Sequence, residues 1–165
     1  MRINIQRLIL FALVGVFVAQ LIFYYPNLGE YVSTHFDVFG RPNGFMRKNT
    51  FVIFEFALLA LILAETLLIP VMIEKLPPRL LNLPNRDFWL AEDRRASTYD
   101  SIRTFFELLG IVMVAFFTVV NQMVFRANVL RENLPTWLFL AVVAAFVAFV
   151  IGWVIKLARS FRLPK

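Results

Sequence analysis

The sequence predicts an all-α integral membrane protein, a four-helix transmembrane bundle with an ordered loop between its first two helices. The first observation is composition. Of the 165 residues, 60% are hydrophobic and 19 are Phe, whereas a soluble domain is roughly 45–50% apolar. A soluble domain of this size still keeps about a third of its surface in water, so the excess requires lipid as solvent. The second observation is that four separate stretches reach the ~20 apolar residues that a helix needs to cross a bilayer.

The four predicted spans lie at about residues 8–25, 51–73, 105–125 and 137–155, within a single domain covering residues 1–165. The first span is longer than the 7–15 apolar residues of a signal peptide, and no small-x-small cleavage site follows it. We therefore interpret it as a retained anchor. The connection near residues 128–134 has room only for a tight antiparallel turn. Pro70 lies inside the second span and is expected to kink it.

The distribution of basic residues predicts the orientation. Twelve of the 17 Lys and Arg residues fall on one side of the spans and five on the other, and the richer side is normally cytoplasmic. We therefore expect both termini and the loop 75–103 in the cytoplasm, and the loop 26–49 facing outward. The net charge of +6 is explained by this topology, so it does not indicate a nucleic-acid partner. The chain has no Cys, which excludes disulfides and thiolate metal sites, and we expect no cofactor.

Six polar residues lie inside the spans, where an ionisable group costs about 2.5–3.5 kcal/mol by insertion scales. We sort them into an outer layer below the loop 26–49 and an inner layer of two glutamates. The plainer interpretation is that they hydrogen-bond between helices. The alternative is a polar cavity for a small cation, a proton or a lipid headgroup, with a proton shared in the inner layer. The outer layer contains Gln20, Glu55, Asn121 and Gln122, and the inner layer contains Glu65 and Glu107.

The loop 26–49 is the predicted ligand or partner site, because it concentrates the only His with a compact, turn-rich motif. Phe36, Phe39 and Phe45 are expected to anchor it as an ordered cap over the helix ends. One alternative is that His35, Asp37 and Glu30 form a metal site. Another is that His35 only forms hydrogen bonds within the loop. We expect His35 and Asp37 to point toward the outer polar layer or across to Arg41. The site residues are His35, Asp37, Gly40, Arg41, Pro42, Asn43 and Gly44.

The loop 75–103 begins with a segment, residues 75–90, that contains three prolines and cannot form one regular helix. We expect its leucines and Trp89 to press against headgroups or helix ends, with Arg94 and Arg95 as further cytoplasmic contacts. From about residue 91 the pattern becomes helical. The chain carries no GxSxG, GxGxxG, Walker or HExxH motif, so we expect no enzyme activity.

Two segments resemble SdpI-type bacterial membrane proteins. One runs from Tyr25 to Asp37 and continues with Gly40-Arg41-Pro42-Asn43-Gly44; the other is residues 84–90, followed by Arg94 and Arg95. The resemblance covers roughly half of the chain and implies a multi-pass protein of the bacterial inner membrane. The best-understood members of this family give immunity to a secreted toxic peptide and relay toxin binding to a cytoplasmic repressor. The resemblance implies a function of this kind. This chain is shorter, because it lacks their second multi-span part.

Three functions follow from these features. The leading hypothesis is a non-enzymatic sensor, immunity or interaction protein that recognises a ligand or partner through the loop 26–49. The second is an accessory structural subunit of a larger membrane protein complex. The third is a small cation or proton carrier, which four spans could form only as an oligomer. The expected partners are the lipid bilayer and either another membrane protein or further copies of this chain.

Overall fold

The computed structural model describes residues 4–163, which form five α-helices and one β-hairpin. Four of the helices are long and apolar enough to cross a membrane, so the chain has the architecture of a multi-pass membrane protein and the prediction of four apolar helices is confirmed. Each observed helix extends beyond the predicted span at one or both ends. In chain order the elements are α1 (Ile5–Tyr24), β1 (Tyr31–Phe36), β2 (Pro42–Arg47), α2 (Lys48–Lys75), α3 (Arg86–Trp89), α4 (Arg95–Leu130) and α5 (Thr136–Ser160).

Helix α4 is the common packing partner of the other long helices, since α1, α2 and α5 each pack against it. Its buried residues include Glu107, Gly110, Val114, Thr118 and Asn121. Spacings of three and four place these positions on one face of a helix. By contrast, no residue of α5 is buried. The molecule is therefore arranged around α4, with α1 and α2 well packed and α5 at the periphery.

The contact between α2 and α4 depends on a glycine. The Thr66 hydroxyl donates a 2.7 Å hydrogen bond to the Ile62 carbonyl of its own helix, and a Cβ built on Gly110 would overlap that hydroxyl. The two backbones can approach closely only because position 110 carries no side chain, as in other membrane helix pairs. Helix α2 continues through Pro70 to Lys75, so the proline does not end it.

The loop between α1 and α2 is an antiparallel hairpin, with Val32 paired with Met46 and an irregular register after Ser33. Val32 is fully buried, and Met46 packs against the same core. Phe36 also packs there, but the exposed fractions of Phe39 and Phe45 are 69% and 63%. The prediction that these two rings anchor the loop is wrong. Phe39 lies in the turn, and Phe45 neighbours Met46, so it points to the opposite face of the strand.

The segment after α2 is irregular, with a 3₁₀ turn at Pro78–Leu80 and the short helix α3, as the prolines predict. The Trp89 indole donates a 2.9 Å hydrogen bond to the Phe161 carbonyl, and the two rings meet edge to face. Trp89 thus presses against the end of α5. Arg94 stacks over the Phe88 ring at 4.0 Å, whereas Arg95 is exposed.

We expect Gly110→Ala to weaken the contact between α2 and α4, because the new methyl group overlaps Thr66. Overpacking of this kind costs about 1–3 kcal/mol. Thermal unfolding in detergent would measure the loss. Thr66→Gly in the same chain should recover most of it, since it opens the space opposite. Gly152→Ala is the matched control, because a Cβ there meets nothing within 4 Å. Equal stability of the two alanine variants would contradict the close contact.

Candidate functional site

The hairpin is fixed to α4 by a side-chain amide. We call the region formed by β1, β2 and the α4–α5 connection (residues 131–135) the hairpin end. The Ser33 backbone N–H donates to Asn128 Oδ1 at 2.7 Å, and Asn128 Nδ2 donates to the Ser33 carbonyl at 3.0 Å. The same Nδ2 also donates to the Val124 carbonyl. The amide therefore occupies the outer edge of β1 as a neighbouring strand would, and it ties that strand to the helix.

A second attachment joins the hairpin turn to the α4–α5 connection. The Leu134 N–H donates to the Gly40 carbonyl at 2.8 Å. Gly40 is buried and has a φ of 76°, a conformation that costs glycine little. A Cβ at this position would overlap the Leu134 carbonyl oxygen. Gly40 is thus required for two reasons, its backbone conformation and the close approach of a second segment.

Asp37 shapes the turn and does not reach the membrane interior. Its Oδ1 accepts hydrogen bonds from the backbone N–H groups of Phe39 at 2.9 Å and Arg41 at 2.8 Å. An aspartate that binds its own turn in this way is a local structural device. The expected direction toward the outer polar layer is therefore wrong for Asp37, and its link to Arg41 runs through the backbone of that residue.

His35 is exposed and lies against Gly44, its partner in the strand register. A Cβ on Gly44 would come within 2.9 Å of the His35 Cβ. The His35 Nδ1 lies 3.0 Å from the Thr34 hydroxyl. The expected direction toward the outer polar layer is wrong for His35 as well. Within residues 4–163, no three His, Asp, Glu or Cys side chains come together to hold a metal ion, so the grouping with Glu30 is not formed.

Lys48 joins the ends of the first two long helices. Its ammonium group donates to the Leu28 carbonyl at 3.3 Å and lies 4.5 Å from the centre of the Tyr25 ring. The Tyr25 hydroxyl donates to Asn49 Oδ1 at 2.9 Å. A cation next to free carbonyls after a helix is favourable. These contacts hold the start of α2 against the end of α1, and so fix both ends of the hairpin.

The four residues of the outer polar layer form two separate helix-to-helix connections. Asn121 Nδ2 donates to Glu55 Oε2 at 2.7 Å, linking α4 to α2. Gln20 Nε2 donates to Gln122 Oε1 at 2.8 Å, linking α1 to α4, and Gln122 Nε2 donates to the Tyr24 hydroxyl. The layer lies about 10 Å below Asn128, at 1.5 Å per residue along α4. Gln20 Oε1 is buried and accepts no hydrogen bond within residues 4–163.

The inner layer is not a carboxylate pair. Glu107 is 1% exposed, and both its oxygens accept hydrogen bonds from α1: Arg7 Nε donates at 2.7 Å and Asn4 Nδ2 at 3.0 Å. Asn4 also caps α1, with its Oδ1 accepting from the Arg7 N–H. Glu65 is half-buried and forms no hydrogen bond with another described side chain. The structure therefore pairs Glu107 with the start of α1 and not with Glu65.

The hairpin end presents a fixed surface with grooves beside it. A mainly apolar groove of about 480 Å³ separates residues 34–38 from α4 and α5, and a polar groove of about 460 Å³ lies on the Asn128 side. Of the predicted site residues, Gly40 and Asp37 hold the turn together and Gly44 makes room for His35. The residues left to meet a ligand are exposed, and they are His35, Val38, Phe39, Arg41, Pro42, Asn43 and Phe45.

Three residues with important roles were not singled out from the sequence. Asn128 and Leu134 hold the hairpin, and Arg7 neutralises Glu107. Each acts on a residue about 90–100 positions away, which no local pattern can indicate. The available signal was weak: Arg7 is a basic residue at the start of a span, and Asn128 is a polar residue near the end of another.

Asn128→Ala should loosen the hairpin, because it removes two hydrogen bonds to the Ser33 backbone. A lost hydrogen bond that leaves a buried group unpaired costs about 1–3 kcal/mol, so the Ser33 amide should exchange with solvent deuterium roughly five to a hundred times faster. Asn128→Asp keeps only the acceptor and should have a smaller effect. Asn43→Ala, at an exposed position, is the control. Unchanged Ser33 exchange in Asn128→Ala would show that the amide does not hold the strand.

Arg7→Gln should destabilise the protein more than the double variant Arg7→Gln/Glu107→Gln. The single change leaves a buried carboxylate without its cation, a loss worth up to about 3–5 kcal/mol in fully buried pairs. Here the cost is smaller, since the Arg7 side chain is 45% exposed. The second change removes the unpaired charge. Unfolding in detergent measures both, and equal or additive losses would argue against charge pairing as the cause.

Comparison with known proteins does not indicate a function for this chain. No protein-family model, no curated protein and no solved structure matches the chain. The hairpin end combines a rigid attachment with exposed apolar side chains, and the opposite end of the helices combines the start of α1 with the contact between Trp89 and Phe161.

Proposed function

We propose that this protein is a non-enzymatic membrane protein that recognises a ligand or partner protein through its β-hairpin. The observation that carries the proposal is the exposure of Val38, Phe39 and Phe45, at 76%, 69% and 63%, on a hairpin that two independent attachments hold in place. Exposed apolar patches on ordered elements are typical of binding surfaces. A preformed surface also loses little conformational entropy when it binds.

The position of the hairpin supports a role outside the membrane. Strand β2 ends at Arg47, and α2 begins with Lys48, Asn49 and Thr50 before its apolar stretch. Polar and basic residues of this kind belong at the headgroup level. Phe45 therefore lies beyond the apolar part of α2, at or above the headgroup level, where a protein partner can reach it.

The orientation that we propose has both termini in the cytoplasm of a bacterium and the hairpin on the outer side of the inner membrane. Lys and Arg are in excess at the end of the molecule that carries the termini and residues 75–103, and the more basic side is normally cytoplasmic. The resemblance of residues 25–37 and 40–44 to SdpI-type proteins supports a sensor or immunity function of the hairpin. In that case Arg95, exposed at the start of α4, is available to a cytoplasmic partner.

A second candidate function is that of an accessory subunit in a larger membrane complex. The observation that favours it is α5, in which no residue is buried and which packs only at the periphery of α4. Leu140, Val147 and Ile151 are 59%, 48% and 56% exposed. Such a face suits another transmembrane helix, from a different protein or from a second copy of this chain, as well as it suits lipid.

The carrier hypothesis has less support from the geometry than the other two. This hypothesis required that Glu65 and Glu107, the two glutamates of the inner layer, share a proton. Both oxygens of Glu107 accept hydrogen bonds from α1 instead. In the outer layer, Glu55 is held by Asn121.

Phe39→Ala and Phe45→Ala should each weaken recognition without unfolding the protein, since both rings are largely exposed. Loss of one buried aromatic contact is worth about 1.5–3 kcal/mol, which is roughly a 10- to 100-fold loss of affinity. A photo-reactive amino acid at position 38 would measure contact with the partner, and complementation of a deletion strain would measure function. Phe54→Ala, 54% exposed on α2, is the matched control.

The same experiment separates the two candidate functions. If both hairpin variants cross-link and complement like the parent protein, the hairpin is not the recognition surface. If activity is lost instead with Leu140→Ala and Ile151→Ala, the accessory-subunit function is supported.

A further inference from the structure

A cleft of about 530 Å³ opens at the hairpin end between α1, the last turns of α4 and the start of α5. It lies apart from the exposed hairpin residues proposed for recognition. Its side toward α1 is polar, made by Gln20 and Gln122, which are already joined by a 2.8 Å hydrogen bond. Its deepest wall is the apolar Val119, 44% exposed, and Leu138, 36% exposed, lines the cleft nearer the rim, at the start of α5.

The rim of the cleft carries one charge of each sign. Arg126 and Glu132 both line it and both are exposed. Within residues 4–163, neither side chain forms an ion pair with another residue. A cation and an anion that line one cleft without neutralising each other are complementary to a ligand that itself carries both charges.

The vertical order of these groups matches that of a membrane lipid. Arg126 lies about 10 Å along α4 from Val119, at 1.5 Å per residue, so the charged rim is at the level of headgroups when the apolar wall is at the level of acyl chains. On the α1 side, Gln20 and Gln122 lie at a depth between those of Arg126 and Val119, near the level of the ester groups of a phospholipid. A volume of this size is in the usual range of about 300–1,000 Å³ for small-molecule sites, enough for a headgroup and glycerol.

We propose that this cleft binds the headgroup of a phosphatidylethanolamine-type lipid. The phosphate pairs with the Arg126 guanidinium, which suits phosphate oxygens well. The primary ammonium donates hydrogen bonds to the Glu132 carboxylate, and the upper part of one acyl chain lies on Val119. A choline headgroup lacks the N–H donors that Glu132 would accept, and a glycerol headgroup lacks the positive charge.

The test compares dioleoyl phosphatidylethanolamine, phosphatidylcholine and phosphatidylglycerol, each offered to the purified protein in detergent and counted by native mass spectrometry. The parent protein should retain the ethanolamine lipid about three- to tenfold more than the other two, as expected for charge-assisted hydrogen bonds. Glu132→Gln should remove that preference, and Arg126→Gln should lower the retention of all three lipids. Arg47→Gln and Glu30→Gln, exposed charges outside the cleft, should change nothing.

Equal retention of the three lipids by the parent protein would overturn the proposal, as would equal behaviour of the cleft and control variants. A second measurement does not depend on the charge variants folding. The chain has no Cys, so Trp137→Cys, exposed beside the cleft but not lining it, can carry a single fluorophore, and brominated ethanolamine lipid should quench it saturably in nanodiscs at a lower mole fraction than brominated choline lipid. Identical quenching curves would also overturn the proposal.

Discussion

Polar groups in the hydrocarbon core of the membrane need partners inside the protein, because acyl chains offer neither hydrogen-bond donors nor acceptors, and α4 supplies those partners. Glu107 binds the start of α1, Gln122 binds α1 again about four turns further along α4, and Asn121 binds α2. Beyond the apolar region, Asn128 binds β1. Four polar residues of one helix therefore connect it to α1, α2 and β1. The position of α4 decides where every one of those elements lies.

The same dependence explains why the packing is tight on one side of α4 and loose on the other. Toward α2, Gly110 lies directly against Thr66 and allows the two backbones to approach closely. Toward α5 the polar connections are few, the main one being the hydrogen bond from the Trp153 indole to the Phe105 carbonyl. Helix α5 is held mostly by ring contacts such as that of Phe116 with Phe146 at 4.3 Å. A helix attached in this way is the natural place for a further helix or for lipid.

The hairpin end has the properties of a rigid platform. Lys48 holds the helices at its base, Asn128 holds one strand edge and Leu134 holds the turn. Because the attachment uses backbone groups, the side chains on the outer face are left free for recognition. The surface proposed for recognition and the cleft proposed for lipid share the α4–α5 connection, since Leu134 contacts the hairpin and Glu132 lines the cleft. A lipid at Glu132 and a ligand at Phe39 would therefore act on neighbouring residues of one short segment.

The sequence by itself determined the four long helices but not the β-hairpin, since the predicted fold was all-α. Hydrophobic length defined the helices to within a few residues at most ends, prolines marked residues 75–90 as unable to form one regular helix, and the motif around Gly40 marked a tight turn. These properties are local, because a helix needs only its own apolar residues to enter lipid and a turn needs only its own glycine and aspartate. Tertiary structure alone decided the partners: Arg7 for Glu107, Asn121 for Glu55, Asn128 for Ser33. It also decided that Phe39 and Phe45 face outward, because which face of a strand or helix is buried depends on how distant elements rotate and pack against it.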